Sequence, residues 1–153
     1  MDQRQQYKIN ISAPNLINIC IDKNENGELE GRLYHCYTAE PIYFPNIVQL
    51  IIEIEWLCDA INFPQASTKT RLFMDKTSVY DEKPEKVADQ KEIIQYSGEK
   101  GTFITHIKFR QKSTWQGEFY WKEQDTVQRF SNTLDFIKQI DTSLAHKYQC
   151  NII

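Results

Sequence analysis

Two stretches of the chain carry the same succession of hydrophobic patterns. In the first, Ile17, Ile19 and Ile21 alternate with Asn18, Cys20 and Asp22, the period-two signature of a strand with one buried face. Asn26-Gly27 then predicts a hairpin turn, and Leu29, Gly31 and Leu33 continue the alternation on the return strand. A short third strand near Ile42–Phe44 leads to Asn46, a good N-cap residue, with Gln49 three positions on as an approximate capping box. Beyond it Val48, Ile51, Ile54 and Cys58 recur at the three-and-four spacing of a helix that buries one face. The second stretch repeats the order. Phe103, Thr105, Ile107 and Phe109 alternate, then Trp115, Gly117, Phe119 and Trp121; a strand near Val127–Phe130 precedes the cap Asn132 with Asp135, and Leu134, Ile137, Ile140 and Leu144 form the helical stripe.

Shifting the chain against itself by 86 positions superposes the two stretches without a gap. Gly31 falls on Gly117, Tyr34 on Tyr120, Phe44 on Phe130, Asn46 on Asn132, Ile51 on Ile137 and Ile54 on Ile140. The pattern predicts one α+β domain over 1–153, made of tandem β-β-β-α units at 16–62 and 102–148. Both helices are expected on one face of a shared antiparallel sheet, related by an approximate two-fold axis. The connecting segment 63–101 includes a charge-rich stretch, 81–92, expected to be a mobile loop. The first helix has apolar residues beyond its stripe, namely Ile47, Ile52, Trp56, Leu57 and Ile61, so a second surface is expected to cover it: the connecting segment, a second copy or a target protein.

Composition narrows the classes. With 41% hydrophobic and 25% charged residues the chain is globular, and a net charge of −3 speaks against general nucleic-acid affinity. The N-terminus lacks the apolar run of a signal peptide and no stretch is long and apolar enough to span a membrane, so a cytoplasmic protein is expected. Cys20, Cys36, Cys58 and Cys150 are accordingly expected to be reduced thiols, and their spacing fits no zinc motif.

Candidate chemistry is sparse. The histidines His35, His106 and His146 read as ordinary surface residues, and no signature of a nucleophile, phosphate loop or metal centre is present, so neither a catalytic residue nor a cofactor is assigned. Glu55 and Asp59 lie four apart on the first helix and read as its solvated side; Glu55, which Asp141 repeats, is expected to pair with a basic residue of the sheet or linker. The sheet face away from the helices is predicted to show Arg32, Tyr34 and Cys36 in one unit, and His106, Lys108, Arg110, Glu118, Tyr120 and Lys122 in the other. Two tyrosines among cations on an open sheet would suit the stacking of RNA bases, although tyrosine is also simply a good strand former.

Residues 109–144, with FRQKSTWQG followed by FSNTLDFIKQIDTSL, resemble a family of small uncharacterised proteins of low-GC Gram-positive bacteria. FPQAS at 63–67 is similar to another segment of that family. Asn132 stands where the family has a serine cap, and Asp135 where it has glutamate. The resemblance implies a stand-alone module of the kind carried on mobile elements, and some small proteins of this general appearance are anti-CRISPR inhibitors; it supplies no catalytic residue.

Three functions follow as expectations. The first is a non-enzymatic interaction protein that inhibits a host defence nuclease of the Cas9 type or its RNA complex, anchored by Trp56, Ile52, Tyr34 and Tyr120. The second is RNA binding or guide-RNA cleavage on the open sheet face through Arg32, His106, Lys108, Arg110 and Lys122. The third is a homodimeric structural module joined through the first helix.

Overall fold

The computed structural model describes residues 9–25, 28–65 and 84–152, with side chains of the last helix up to 145. The Asn26-Gly27 turn and the side chains of His146 and Cys150 lie outside the described residues. The fold is α+β. Six strands, β1 (Ile17–Glu25), β2 (Glu28–Tyr34), β3 (Ile42–Phe44), β4 (Gly101–Phe109), β5 (Gln116–Trp121) and β6 (Thr126–Phe130), form one antiparallel sheet in the order β3-β2-β1-β4-β5-β6. Helices α1 (Ile47–Ile61) and α3 (Thr133–Ile152) pack on the same face, and a short helix α2 (Gln90–Ile93) belongs to the connection between α1 and β4.

The main core lies between the sheet and α1 and α3. Ile17, Ile19, Ile21, Leu33, Phe103, Ile107 and Phe119 point into it from the strands, as the alternation requires. Leu50, Ile54, Leu57, Cys58 and Ile61 meet them from α1, and Phe136, Ile140 and Leu144 from α3. Both helices are rotated from the expected stripe. Val48 and Leu134, assigned to the core by spacing alone, are each 60% exposed, and Leu50 and Phe136 take their place. The expected caps form: Asn46 Oδ1 accepts from Gln49 N (2.9 Å) and Asn132 Oδ1 from Asp135 N (2.7 Å), which fixes where each helix begins, while the larger Leu50 and Phe136 take the core positions over Val48 and Leu134.

Features of the two halves recur 86 positions apart. The β1–β2 register shifts between Ile21 and Lys23, and the β4–β5 register between Ile107 and Phe109. At these bulges the strands approach so closely that a Cβ on Gly31 would overlap the Cys20 carbonyl, and one on Gly117 the His106 carbonyl. Phe44 pairs with Gly31 and Phe130 with Gly117, and at Gly117 an added Cβ would also crowd the Phe130 ring.

The second bulge corrects one expectation. By strict alternation Phe109 belongs to the core and Arg110 to the outer face. The extra residue inverts the phase, leaving Phe109 55% exposed and burying Arg110 beneath α1.

The other face of the sheet is covered, not open. Ile9, Ile11 and Leu16 from the N-terminal segment, and Ile93 and Ile94 from α2 and its C-cap, form a second apolar cluster with Cys20, Tyr34, Cys36, Ile104 and Tyr120. The stretch expected as a mobile loop contributes to this cover: Val87 N and Ala88 N donate to Cys36 O (2.7 and 3.1 Å), and Asp89 and Glu92 form the capping box of α2. Residues 81–83 of that stretch lie outside the described residues. Among the described residues no helix is long and apolar enough to cross a membrane.

Candidate functional site

The covered face decides the fate of the predicted RNA platform. Tyr34 and Tyr120 are buried. Tyr34 already stacks on Tyr96 of the connecting segment, with centroids 4.1 Å apart and planes 2° from parallel, while Tyr120 donates its hydroxyl to Asp125 Oδ1 (2.7 Å). The cations between them bind the cover. Arg32 forms an ion pair with Asp22 (2.9 Å) and donates to Ser97 O (2.9 Å) and Tyr34 Oη (2.7 Å); the Arg32 hydrogen bond is the main pull that holds the Asp22 carboxyl below the usual range against its desolvation. Lys122 Nζ donates to Ile94 O (3.0 Å) and Ser97 Oγ (3.1 Å). From β1, Asn18 Nδ2 donates to Ile93 O (2.7 Å) and Tyr96 O (3.0 Å). Side chains that read as a nucleic-acid surface are clamps for the chain's own backbone.

The remaining members of that set are also engaged or buried. Lys108 pairs with Glu118 across the strands (3.5 Å). His106 is buried beside them, its Nδ1 without a hydrogen-bond partner among the described residues, and burial lowers its pKa, as does Lys108. His35, also expected at the surface, is buried; its Nδ1 accepts from Tyr37 N (3.0 Å) and burial depresses its pKa to about 4. Both histidines are therefore neutral near pH 7 and supply no cation. Burial raises the thiols of Cys20 and Cys58 to about 12, which leaves them protonated and poorly nucleophilic. Cys20, Cys36 and Cys58 are free thiols.

Arg110 instead holds α1 in place. Its side chain is 4% exposed; Nε donates to Pro64 O (2.7 Å), and Nη1 pairs with Asp59 (2.7 Å) and Glu55 (3.2 Å). Glu55 Oε1 also accepts from Trp115 Nε1 (2.6 Å). The basic partner foreseen for Glu55 is thus Arg110, reached through the bulge. At the end of α1, Asn62 in the left-handed region (φ 54°) donates its N–H to Asp59 O (3.2 Å), and Phe63 N donates to Cys58 O (3.0 Å).

One predicted anchor stays accessible. Trp56 is 63% exposed on the side of α1 opposite its buried stripe, with Val48 60% exposed and Ile52 half-buried in the same row. Leu57 and Ile61, counted as surplus apolar residues, are core; Ile47 is half-buried against it. The row Val48–Ile52–Trp56 has spacing i, i+4, i+8, so one turn separates each side chain from the next. Glu53 and Asp59 border it. A shallow cleft of about 460 Å³ lined by Trp121, Gln128, Asp135 and Gln139 lies elsewhere, beside α3. Among the described residues no group of His, Cys, Asp and Glu has the arrangement to hold a metal ion.

The fold and the site define, among the described residues, a small α+β protein with a covered sheet and an exposed aromatic-aliphatic face on α1. No family model, no curated protein and no solved structure matches the chain.

Proposed function

We propose that this is a non-enzymatic interaction protein that docks on a partner protein through the outer face of α1, as a mobile-element inhibitor of a host defence nuclease of the Cas9 type. The observation that carries the docking is Trp56, a large apolar side chain 63% exposed on the side of α1 opposite Leu50, Ile54, Leu57 and Ile61, which are buried in the core. Exposed tryptophan costs solvation in the free protein and is the residue type most enriched at interface hot spots. The choice of target class rests on the sequence likeness of residues 109–144, and the acidic border of α1 suits the basic surfaces of a nuclease. Its place of action on this reading is the cytoplasm, in keeping with three buried free thiols.

The two halves are tandem copies of one β-β-β-α unit. Their matching bulges, glycines and caps support this, and so does the register at the centre of the sheet. There Asn18 faces Ile104, its own counterpart 86 positions on, while Ile17 faces Thr105 and Ile19 faces Phe103. That is the pairing a two-fold axis between β1 and β4 would produce.

The test is DNA cleavage by a purified, guide-loaded Cas9-type nuclease of the native host, with the protein added at increasing ratio. Inhibition that disappears in a folded Trp56→Ala variant is expected. Full cleavage at excess protein, or equal inhibition by the variant, refutes the proposal. Burial of Tyr34 and Tyr120 and the engagement of Arg32 and Lys122 with the covering segment favour this reading over RNA binding on the sheet.

A further inference from the structure

We infer that the seat on α1 is built for a short, basic amphipathic helix of a partner protein; the inference rests on the docking reading above and specifies the chemistry of what docks. Val48 and Trp56 lie eight steps apart with Ile52 midway, about 12 Å along the axis at ~1.5 Å per residue. This length accommodates two turns of a partner helix, whose apolar side chains would enter beside the indole. The row lies opposite the buried set Leu50, Ile54, Leu57 and Ile61, so it faces straight outward from the domain.

Charge selects the partner's sign. The charged residues of α1 are Glu53, Glu55 and Asp59, with no lysine or arginine from Ile47 to Ile61. Arg110 lies beneath Glu55 and Asp59 and pairs with both, and Glu53 is not part of that pairing, so three carboxylates against one buried guanidinium leave the seat a negative balance. Asp59 is 59% exposed and Glu55 45%, enough for water, or an incoming ammonium or guanidinium, to reach them. A helix with leucine-like residues on one face and flanking lysines or arginines complements both features.

The same arithmetic rejects a second copy of this chain. An isologous α1–α1 contact would bring two acidic borders together with no cation on either helix. Three side chains also fall well short of the roughly 800 Å² per partner of a stable interface. A short segment, by contrast, needs only the row and its border.

The experiment uses the full chain and two fluorescein-labelled synthetic helical peptides of the same leucine pattern, one with lysine and one with glutamate on its polar face. Anisotropy titrations are expected to give at least about tenfold tighter binding of the lysine peptide. Trp56→Ala should weaken that binding by at least about tenfold, as for an interface anchor. Glu53→Gln/Asp59→Asn, checked for an unchanged circular dichroism spectrum, should weaken it several-fold and narrow the difference between peptides. Equal binding of both peptides, no binding of either, or indifference to Trp56→Ala overturns the inference. Sedimentation of the chain alone provides the remaining arm: a monomer at micromolar concentration supports it, and a dimer lost in Trp56→Ala overturns it in favour of a second copy. If nuclease inhibition depends on Trp56 while neither peptide binds, the docking reading stands and only the basic-helix chemistry falls.

Discussion

Replacing Arg110 with methionine tests how the bulge at the end of β4 fixes α1. Methionine retains the unbranched apolar stem but removes a guanidinium that is 4% exposed and serves Pro64 O, Glu55 and Asp59. Breaking a fully buried ion pair costs about 3–5 kcal/mol, mostly from the charge left behind. Here the carboxylates left behind face water, at 45% and 59% exposure, and rehydrate, so most of that penalty does not apply. What remains is the loss of a donor to Pro64 O, a carbonyl in a buried contact, at about 1–3 kcal/mol, together with the charge-assisted bonds of the fork. The expected destabilisation is about 2–4 kcal/mol, read as a shift of the urea midpoint at unchanged slope. Arg110→Lys should recover less than half, because one ammonium cannot span the Pro64 carbonyl and both carboxylates. Asp59→Ala should cost only about 1 kcal/mol, since Glu55 still neutralises the arginine. A loss below about 0.5 kcal/mol for Arg110→Met, or full rescue by lysine, would refute the account.

Gly31→Ala and Gly117→Ala should each destabilise by more than about 2 kcal/mol, since the new methyl meets a backbone carbonyl that moves only if the strand moves; a thermal shift below about 2 °C in either would show that the bulges yield easily. Stability should also fall on mild acidification. His35 has a folded pKa depressed to about 4 from 6.5, so the unfolded chain binds the proton more readily; the contribution is complete above about pH 6.5 and lost progressively toward pH 4, to an extent of up to about 3 kcal/mol, with His106 acting in the same direction. His35→Gln should flatten the dependence of unfolding free energy on pH in that window, and an unchanged slope would remove His35 as its cause.

Local pattern was sufficient for much of this molecule. Period-two runs placed the strands, and the Asn caps placed α1 and α3. These are properties of neighbours in the chain, set by backbone geometry and by the spacing at which side chains share a face. Tertiary structure decided three things. It inserted a residue at Ile107/Phe109, which exchanged Phe109 for Arg110, because a bulge is a property of two paired strands rather than of one sequence. It laid the N-terminal segment and the residues around α2 over the outer sheet face, turning Tyr34, Arg32 and Lys122 from an apparent nucleic-acid surface into clamps. The same tyrosine and cations serve either purpose, and only the presence of a covering segment distinguishes them. Finally it left Val48, Ile52 and Trp56 facing outward, since packing against the sheet took the larger Leu50 into the core in place of Val48.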